Sequence, residues 1–319
     1  MKLNSIIEYL MLISLVAVFG FAAYQRNFVW KDNLTLWSDC TTKSPYKYRT
    51  HNNLGFALFN NKDLDKAIVE FRQTLRFNPR AEKAYLNIGR IYEKEGRTKD
   101  AIEQYLNAFK IAPQSIDTIH SIGNAYATSR QLDIAIFYYK KALMLRPDSP
   151  SILVSLGSAL HKKGLTAEAI DKFKKAVKIA PDMPQAYYNY GIINDEKGML
   201  IEALNMYQKA IELKPEYAKA ISNSGIIYGK LNKIEVAIPL FEKALKIAPE
   251  DTIILFNLAF AYEELAKSVE GRGESKELRV KAVQTYEKIL MLDLDNVRAG
   301  KSIRRLRAQS KELRVKRKP

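Results

Sequence analysis

The sequence predicts an all-α solenoid: seven stacked helix pairs, preceded by one membrane-spanning helix and closed by a C-terminal capping helix. Three observations predict it. Proline stands at positions 45, 79, 113, 147, 181, 215 and 249, an interval of 34 each time. Glycine stands at 55, 89, 123, 157, 191 and 225 with the same interval, and Ala259 takes the seventh place. Alanine and an aromatic residue recur in fixed register between them. A period of this length marks a helix–turn–helix unit that cannot bury its apolar face alone and stacks on its neighbours to do so. Length alone, 319 residues, would suggest two domains, but a solenoid has no single core and grows by addition. With 47% hydrophobic and 27% charged residues the composition is that of a foldable chain.

The first element is the apolar stretch. Ile6 to Tyr24 is a run of 19 residues interrupted only by Glu8, and as a helix it would span about 28 Å, enough for a bilayer core. Residues 1–24 are therefore expected to anchor the chain, with Tyr9, Tyr24, Phe28 and Trp30 near the membrane boundaries. The competing reading is a signal sequence, for which Lys2 is a weak charged region and Gly20-Phe21-Ala22 a poor cleavage site. If it were cleaved, the remainder would be a periplasmic or secreted assembly factor. Lys2 on one side against Arg26, Lys31, Lys43 and Lys47 on the other favours, by charge count, a cytoplasmic solenoid.

Residues 25–47 form a junction. Trp37, Cys40 and Pro45 fall in the aromatic, small and proline columns of a repeat that would start at residue 14, and Asn33 breaks its alanine column. Asn33 to Ser44 is thus expected to be a half-repeat helix capping the N-terminal edge.

The repeats occupy 48–296 and start at Tyr48, Glu82, Ile116, Pro150, Pro184, Ala218 and Thr252. Position 20 is Ala67, Ala101, Ala135, Ala169, Ala203, Ala237 and, after an insertion, Ala282. Position 24 is Phe71, Tyr105, Tyr139, Phe173, Tyr207, Phe241 and Tyr286. Position 27 is Thr74, then Ala108, Ala142, Ala176, Ala210 and Ala244, then Ile289. Small residues at 8 and 20 let the two helices of a repeat approach, and the aromatic is expected to fill space between neighbouring repeats. Proline at 32 ends the second helix. Gly96, Gly164 and Gly198 at position 15 can take the left-handed conformation between helices. The seventh repeat carries 11 extra residues, since Ala282 stands where an uninterrupted repeat has residue 271. Lys267 to Lys276, with Gly271, Arg272 and Gly273, reads as an exposed loop.

Residues 297–319 read as a basic capping helix and tail. Ala299, Ile303, Leu306, Ser310 and Leu313 form a stripe at helical spacing that would cover the seventh repeat. From Arg298 to Lys318 there are ten Lys or Arg against Glu312, within a chain of net charge +16. The tail is either a solvated end or a contact for anionic lipid. Nucleic-acid binding would rest on this tail alone, which speaks against it.

The columns resemble those of the tetratricopeptide-repeat (TPR) family over Tyr48 to Asn296. The resemblance implies a right-handed superhelix whose concave wall, made by the first helix of each pair, holds another protein or peptide. In that family positions 2, 5, 6, 9, 12 and 13 face the groove. Position 6 here is Asn53, Asn87, Ser121, Ser155, Asn189, Asn223 and Asn257, a polar ladder similar to the one in the TPR portion of O-linked N-acetylglucosamine transferases. An amide can pair with both N–H and C=O of an extended peptide regardless of its side chains. The carboxylate clamp that binds chaperone C-termini needs Lys at 5 and Asn at 9. Asn52 with Phe56, and Leu86 with Arg90, stand there instead. Arg49, Lys83, Arg90 and Lys94 make one end of the groove basic. Ile253, Phe256 and Phe260 beside Glu263 and Glu264 make the other apolar and acidic.

A second resemblance lies in Arg26-Asn-Phe-Val-Trp30-Lys-Asp-Asn-Leu-Thr-Leu-Trp37-Ser-Asp-Cys-Thr-Thr-Lys-Ser-Pro45. After a hydrophobic helix, this looks like the junction of transmembrane-and-TPR O-mannosyltransferases. It implies an extracytoplasmic solenoid, against the charge count, and an accessory, substrate-presenting part without the catalytic acids of that family's membrane loops. No catalytic residue, cofactor or metal is expected. There is no glycine-rich phosphate loop, the acids are dispersed, Cys40 stands alone, and His51, His120 and His161 occupy different repeat positions. The function expected is a membrane-anchored interaction scaffold.

Overall fold

In the computed structural model residues 3–270 and 272–315 are described, and among them the chain is helical throughout, with short turns between helices. It divides into two compact units, one ending at Pro147 and the other beginning at Asp148.

The first unit opens with α1 (Leu3–Val29), then α2 (Asn33–Lys43). Residues Ile7–Asn27 of α1 have a mean hydropathy of 1.9 and are buried nowhere in the protein. At 21 residues the segment is about 31 Å long, which suits a bilayer core. Asp32 starts α2 through a reciprocal cap, its carboxylate accepting from the Thr35 amide at 2.8 Å and its own amide donating to Thr35 Oγ1 at 3.2 Å. The Trp30 indole donates to Asp39 at 3.4 Å, and the Arg26 guanidinium lies 5.1 Å from the Trp30 ring centre. These contacts tie the end of α1 to α2.

Three hairpins follow: α3 (Tyr48–Asn60) with α4 (Leu64–Phe77), α5 (Glu82–Lys94) with α6 (Thr98–Ile111), and α7 (Ile116–Thr128) with α8 (Leu132–Leu145). Leu34 and Trp37 of α2 pack on the core formed by α3 to α7. His51 fixes the seam, with Nε2 2.8 Å from the Pro45 carbonyl and Nδ1 2.6 Å from Glu70.

The second unit holds four hairpins. They are α9 (Pro150–Lys162) with α10 (Thr166–Ile179), α11 (Pro184–Glu196) with α12 (Leu200–Leu213), α13 (Ala218–Lys230) with α14 (Ile234–Ile247), and α15 (Thr252–Ser268) with α16 (Gly273–Leu292). α17 (Val297–Val315) closes it.

The column residues form the cores. Every alanine at position 20 is fully buried, and every aromatic at position 24 is at most 3% exposed. The aromatic joins the core shared with the next repeat and has a seat that the sequence did not suggest. Its ring lies on the glycine of its own hairpin: a methyl group added at Gly55 would come within 2.8 Å of Phe71, at Gly123 within 2.6 Å of Tyr139, and at Gly157 within 2.7 Å of Phe173. Glycine at position 8 is thus the seat of the ring, which is why the two columns recur together.

The turns inside the first six hairpins use one geometry. The amide three residues past the first helix reaches back to close a six-residue loop, as in Asp63 to Leu58, Arg97 to Tyr92 and Leu165 to Leu160. Position 15 has a positive φ in six hairpins, at Gly96, Gly164 and Gly198 but also at Lys62, Arg130 and Asn232. The glycines were legible in sequence; that their counterparts adopt the same backbone was not.

The insertion is a correction. It does not form a loop from Lys267 to Lys276. α15 runs to Ser268 and α16 begins at Gly273, so the extra residues lengthen both helices and leave a short turn. Gly271 lies outside the described residues. The lengthened part is pinned by polar contacts: buried Ser275 donates to the Ala266 carbonyl at 2.8 Å, and Arg279 to Glu270 at 2.7 Å.

Of the predicted capping stripe, Ala299, Ile303 and Leu306 are buried against Tyr286 and Ile289. The side chains of Ser310 and Leu313, and all of residues 316–319, lie outside the described set.

Candidate peptide-binding groove

Along the first helix of each pair, position 2 is exposed in every repeat, while positions 6 and 9 are mostly half-buried. In the first unit Arg49 and Lys83 are exposed and Arg90 is half-buried. Arg49 leans on its neighbour, donating to the Tyr48 hydroxyl at 3.1 Å. The Lys94 ammonium sits 4.0 Å from the Phe59 ring centre, a cation–π contact between consecutive first helices. Lys83 and Arg90 have no acidic partner among the described residues. Four cations on the first helices of two consecutive hairpins leave this wall with unneutralised positive charge.

The ladder is uneven. In the first unit Asn87 is buried, while Asn53 and Ser121 are half-buried. The Asn53 carbonyl accepts from Asn52 at the long distance of 3.5 Å. In the second unit Ser155, Asn189, Asn223 and Asn257 are all half-buried. Asn223 spends a donor on the Tyr207 hydroxyl at 3.3 Å. Asn257 has its Nδ2 sealed from solvent with no acceptor.

Tyrosine at position 24 supplies polar atoms that sequence reasoning did not single out. Tyr105 donates to Glu93 at 2.8 Å, and Tyr139 to Asn124 at 2.8 Å. Burial pushes the Tyr105 and Tyr207 hydroxyls well above the ordinary phenol range, so both stay neutral and able to donate. The signal was present in the sequence as Tyr rather than Phe at repeats two, three, five and seven. It could be read only with the partner atom in view.

Two residues expected at the far end of the groove do not face it. Glu263 is 1% exposed and accepts from Arg305 of α17 at 2.6 and 2.9 Å, because the capping helix brings a guanidinium across it. Phe256 is half-buried, edge-on to Tyr286 at 5.5 Å. Ile253 and Phe260 remain exposed, at 70% and 49%, and Glu264 is held by Lys267 at 2.6 Å.

Between α13 and α15 lies a cleft of about 670 Å³, lined by Ile226, Gly229, Phe241, Asn257, Phe260 and Glu264 among others. Gly229 lines the cleft, and a methyl group added there would meet nothing within 4 Å.

Among the described residues no three His, Cys, Asp or Glu side chains converge to hold a metal ion. The histidines are dispersed: His51 on Glu70, His161 Nε2 3.0 Å from Glu196, and His120 edge-on to Tyr139 at 5.7 Å.

Hairpins seated ring on glycine, stacked by a 34-residue period, define an α-solenoid of the interaction-repeat class. Family models described as tetratricopeptide repeat match residues 52–116, 120–184, 184–217 and 218–251, well over half the chain. The chain belongs to the tetratricopeptide-repeat family.

Among curated proteins it is similar to human protein O-mannosyl-transferase TMTC3, 28% identical over 97 residues, covering 30% of this chain and 11% of that protein. The mouse protein of the same name is 32% identical over 76 residues, covering 24% and 8%. The chain thus spans about a tenth of the length of the curated relatives it matches. Among solved structures, a chain of the APC/C hetero-tetramer Cut9–Hcn1 superposes with a TM-score of 0.65 at 17% identity, over 86% of this chain and 52% of that one. A tetratricopeptide repeat protein from Parabacteroides merdae superposes with a TM-score of 0.63 at 14% identity, over 81% and 98%. These two likenesses establish the fold.

Proposed function

We propose that the chain is a membrane-anchored interaction scaffold that holds an extended polypeptide along the first-helix wall of its repeats. The observation that carries this reading is the wall itself: amides and hydroxyls recurring every repeat at position 6, flanked by side chains that are exposed at position 2 of every repeat and at least half-buried at position 9 of all but the first and last, with no internal segment laid over them among the described residues. An amide ladder pairs with backbone and tolerates many side chains. The cations Arg49, Lys83, Arg90 and Lys94 would favour an acidic stretch of the partner on the first unit.

Anchoring rests on α1, whose apolar surface has no protein cover. We further propose that the repeats lie on the extracytoplasmic side. The local similarity to TMTC3 supports a second reading, that the scaffold presents substrate to a membrane glycosyltransferase supplied by another chain. The basic tail would add contact with anionic lipid.

A photoreactive residue in place of Ser121 in one unit and Asn189 in the other tests groove binding in native membranes. The expected result is a shared crosslinked polypeptide that disappears when Lys83, Arg90 and Lys94 are all replaced by Glu. Crosslinks that persist unchanged in that triple variant would refute the acidic-partner idea. An absence of groove crosslinks, with efficient crosslinks from the opposite helices, would refute the groove.

A further inference from the structure

Gly229 breaks a local rule without a packing reason. The six glycines at position 8 are each seated under an aromatic ring, with no room for a methyl group. Gly229 is a helical glycine with open space where its side chain would be. Such a residue costs helix stability relative to alanine, and nothing in the core requires it. Its counterparts at position 12 in the other repeats are Phe59, Glu93, Ala127, His161, Asp195 and Glu263. Where they carry side chains, Gly229 leaves the cleft between α13 and α15.

The chemistry of that cleft selects an occupant. Phe241 and Ile226 line it, and Phe260 keeps half its surface exposed at the same place. The rim charges are already matched: Lys230 pairs with Asp195, and Lys267 with Glu264 and Glu263. A charged ligand group would have to displace an existing partner. The unmet polar demand is the Asn257 amide nitrogen, which has no acceptor. Leaving a shielded donor unpaired is costly, and the terminal torsion of Asn is soft enough to turn it toward an incoming acceptor. The apolar surface of Ile226, Ile234, Phe241 and Phe260 beside the unpaired Asn257 donor, within a lining that also holds Asn232 and Ser268, fits a large apolar side chain next to a peptide carbonyl.

Resting on the groove reading above, we propose that the cleft between α13 and α15 is a specificity pocket. It takes a Leu, Met or aromatic side chain of an extended peptide, while the adjoining backbone carbonyl accepts from Asn257 Nδ2.

The test uses the full chain in detergent micelles and capped, fluorescent twelve-residue Gly/Ser/Ala peptides with one central variable residue. Fluorescence anisotropy should show the Phe and Leu peptides binding about tenfold or more tighter than the Ala, Asp and Lys peptides, the ratio expected for burying one large side chain. Gly229→Trp, which fills the cleft without entering the core, should abolish that preference, and Gly229→Ala should keep most of it. Phe260→Ser, at an exposed position, should weaken the preference and serves if the Trp variant misfolds. A preference that survives both Gly229→Trp and Phe260→Ser, or peptides that bind with no preference, would overturn the pocket and leave the groove standing. No binding of any peptide to the wild-type chain would overturn both.

Discussion

Lys62, Arg130 and Asn232 occupy a backbone conformation that side chains with a Cβ disfavour, and they do so because the hairpin turn is fixed by six-residue closure. Left-handed backbone costs a non-glycine residue roughly 1–2 kcal/mol. Replacing Arg130 by Gly relieves that, while the greater freedom of the unfolded chain returns roughly 0.4–1 kcal/mol of it. Arg130→Gly is therefore expected to stabilise by about 0.5–1 kcal/mol, and Gly164→Ala to destabilise by a similar amount, both read from urea unfolding.

His120 gives a pH prediction. Burial lowers its pKa below the ordinary histidine value, against a smaller opposing pull from Asp117. The unfolded chain then binds a proton that the folded chain resists, so the contribution is complete above the unfolded pKa, near 6.5. It is lost as pH falls from there toward the folded pKa. Thermal midpoints should drop between pH 7 and 5, and His120→Gln should flatten that part of the profile. An unchanged slope in the variant would assign the acid sensitivity elsewhere.

Helix α13 carries two glycines four residues apart whose roles are opposite. Gly225 lies under Phe241, where an added methyl group would sit 2.8 Å from the ring. Gly225→Ala should cost about 1–3 kcal/mol through overpacking. Gly229→Ala meets open space and should gain about 0.5–1 kcal/mol from helix propensity. Chemical denaturation of the two variants separates the readings: equal effects would mean that the ring is free to move aside. The lengthened α15–α16 hairpin makes a related point. A window rich in Gly and charge reads as loop, yet both helices extend through it, and Ser275 and Arg279 find partners across the lengthened hairpin.

For the whole molecule the decisive surface is α1. Removing residues 1–27 should move the protein from the membrane fraction to the soluble fraction, leaving the helical circular-dichroism signal of the repeats intact. For sidedness, Cys40 is the only cysteine. With Cys40→Ser as background, Lys140→Cys on an exposed face of α8 is expected to react with a membrane-impermeant maleimide in intact cells. Labelling only after lysis would place the repeats in the cytoplasm and weaken the glycosyltransferase reading.

The period of 34, the alanine and aromatic columns and the apolar first helix were decided by sequence, because each reflects a constraint repeated at fixed register or over a continuous length. Repetition turns a weak local preference into an unambiguous pattern. Single-copy features had no such amplification. The seat of each ring on its own glycine, the capture of Glu263 by Arg305 and the strained turns at Lys62 and Arg130 appear only when helices distant in sequence meet. So does the cleft at Gly229. In sequence it is one more glycine; in the fold it is an absent side chain facing Asn257 and Phe260, because contact between neighbouring repeats is a property of packing.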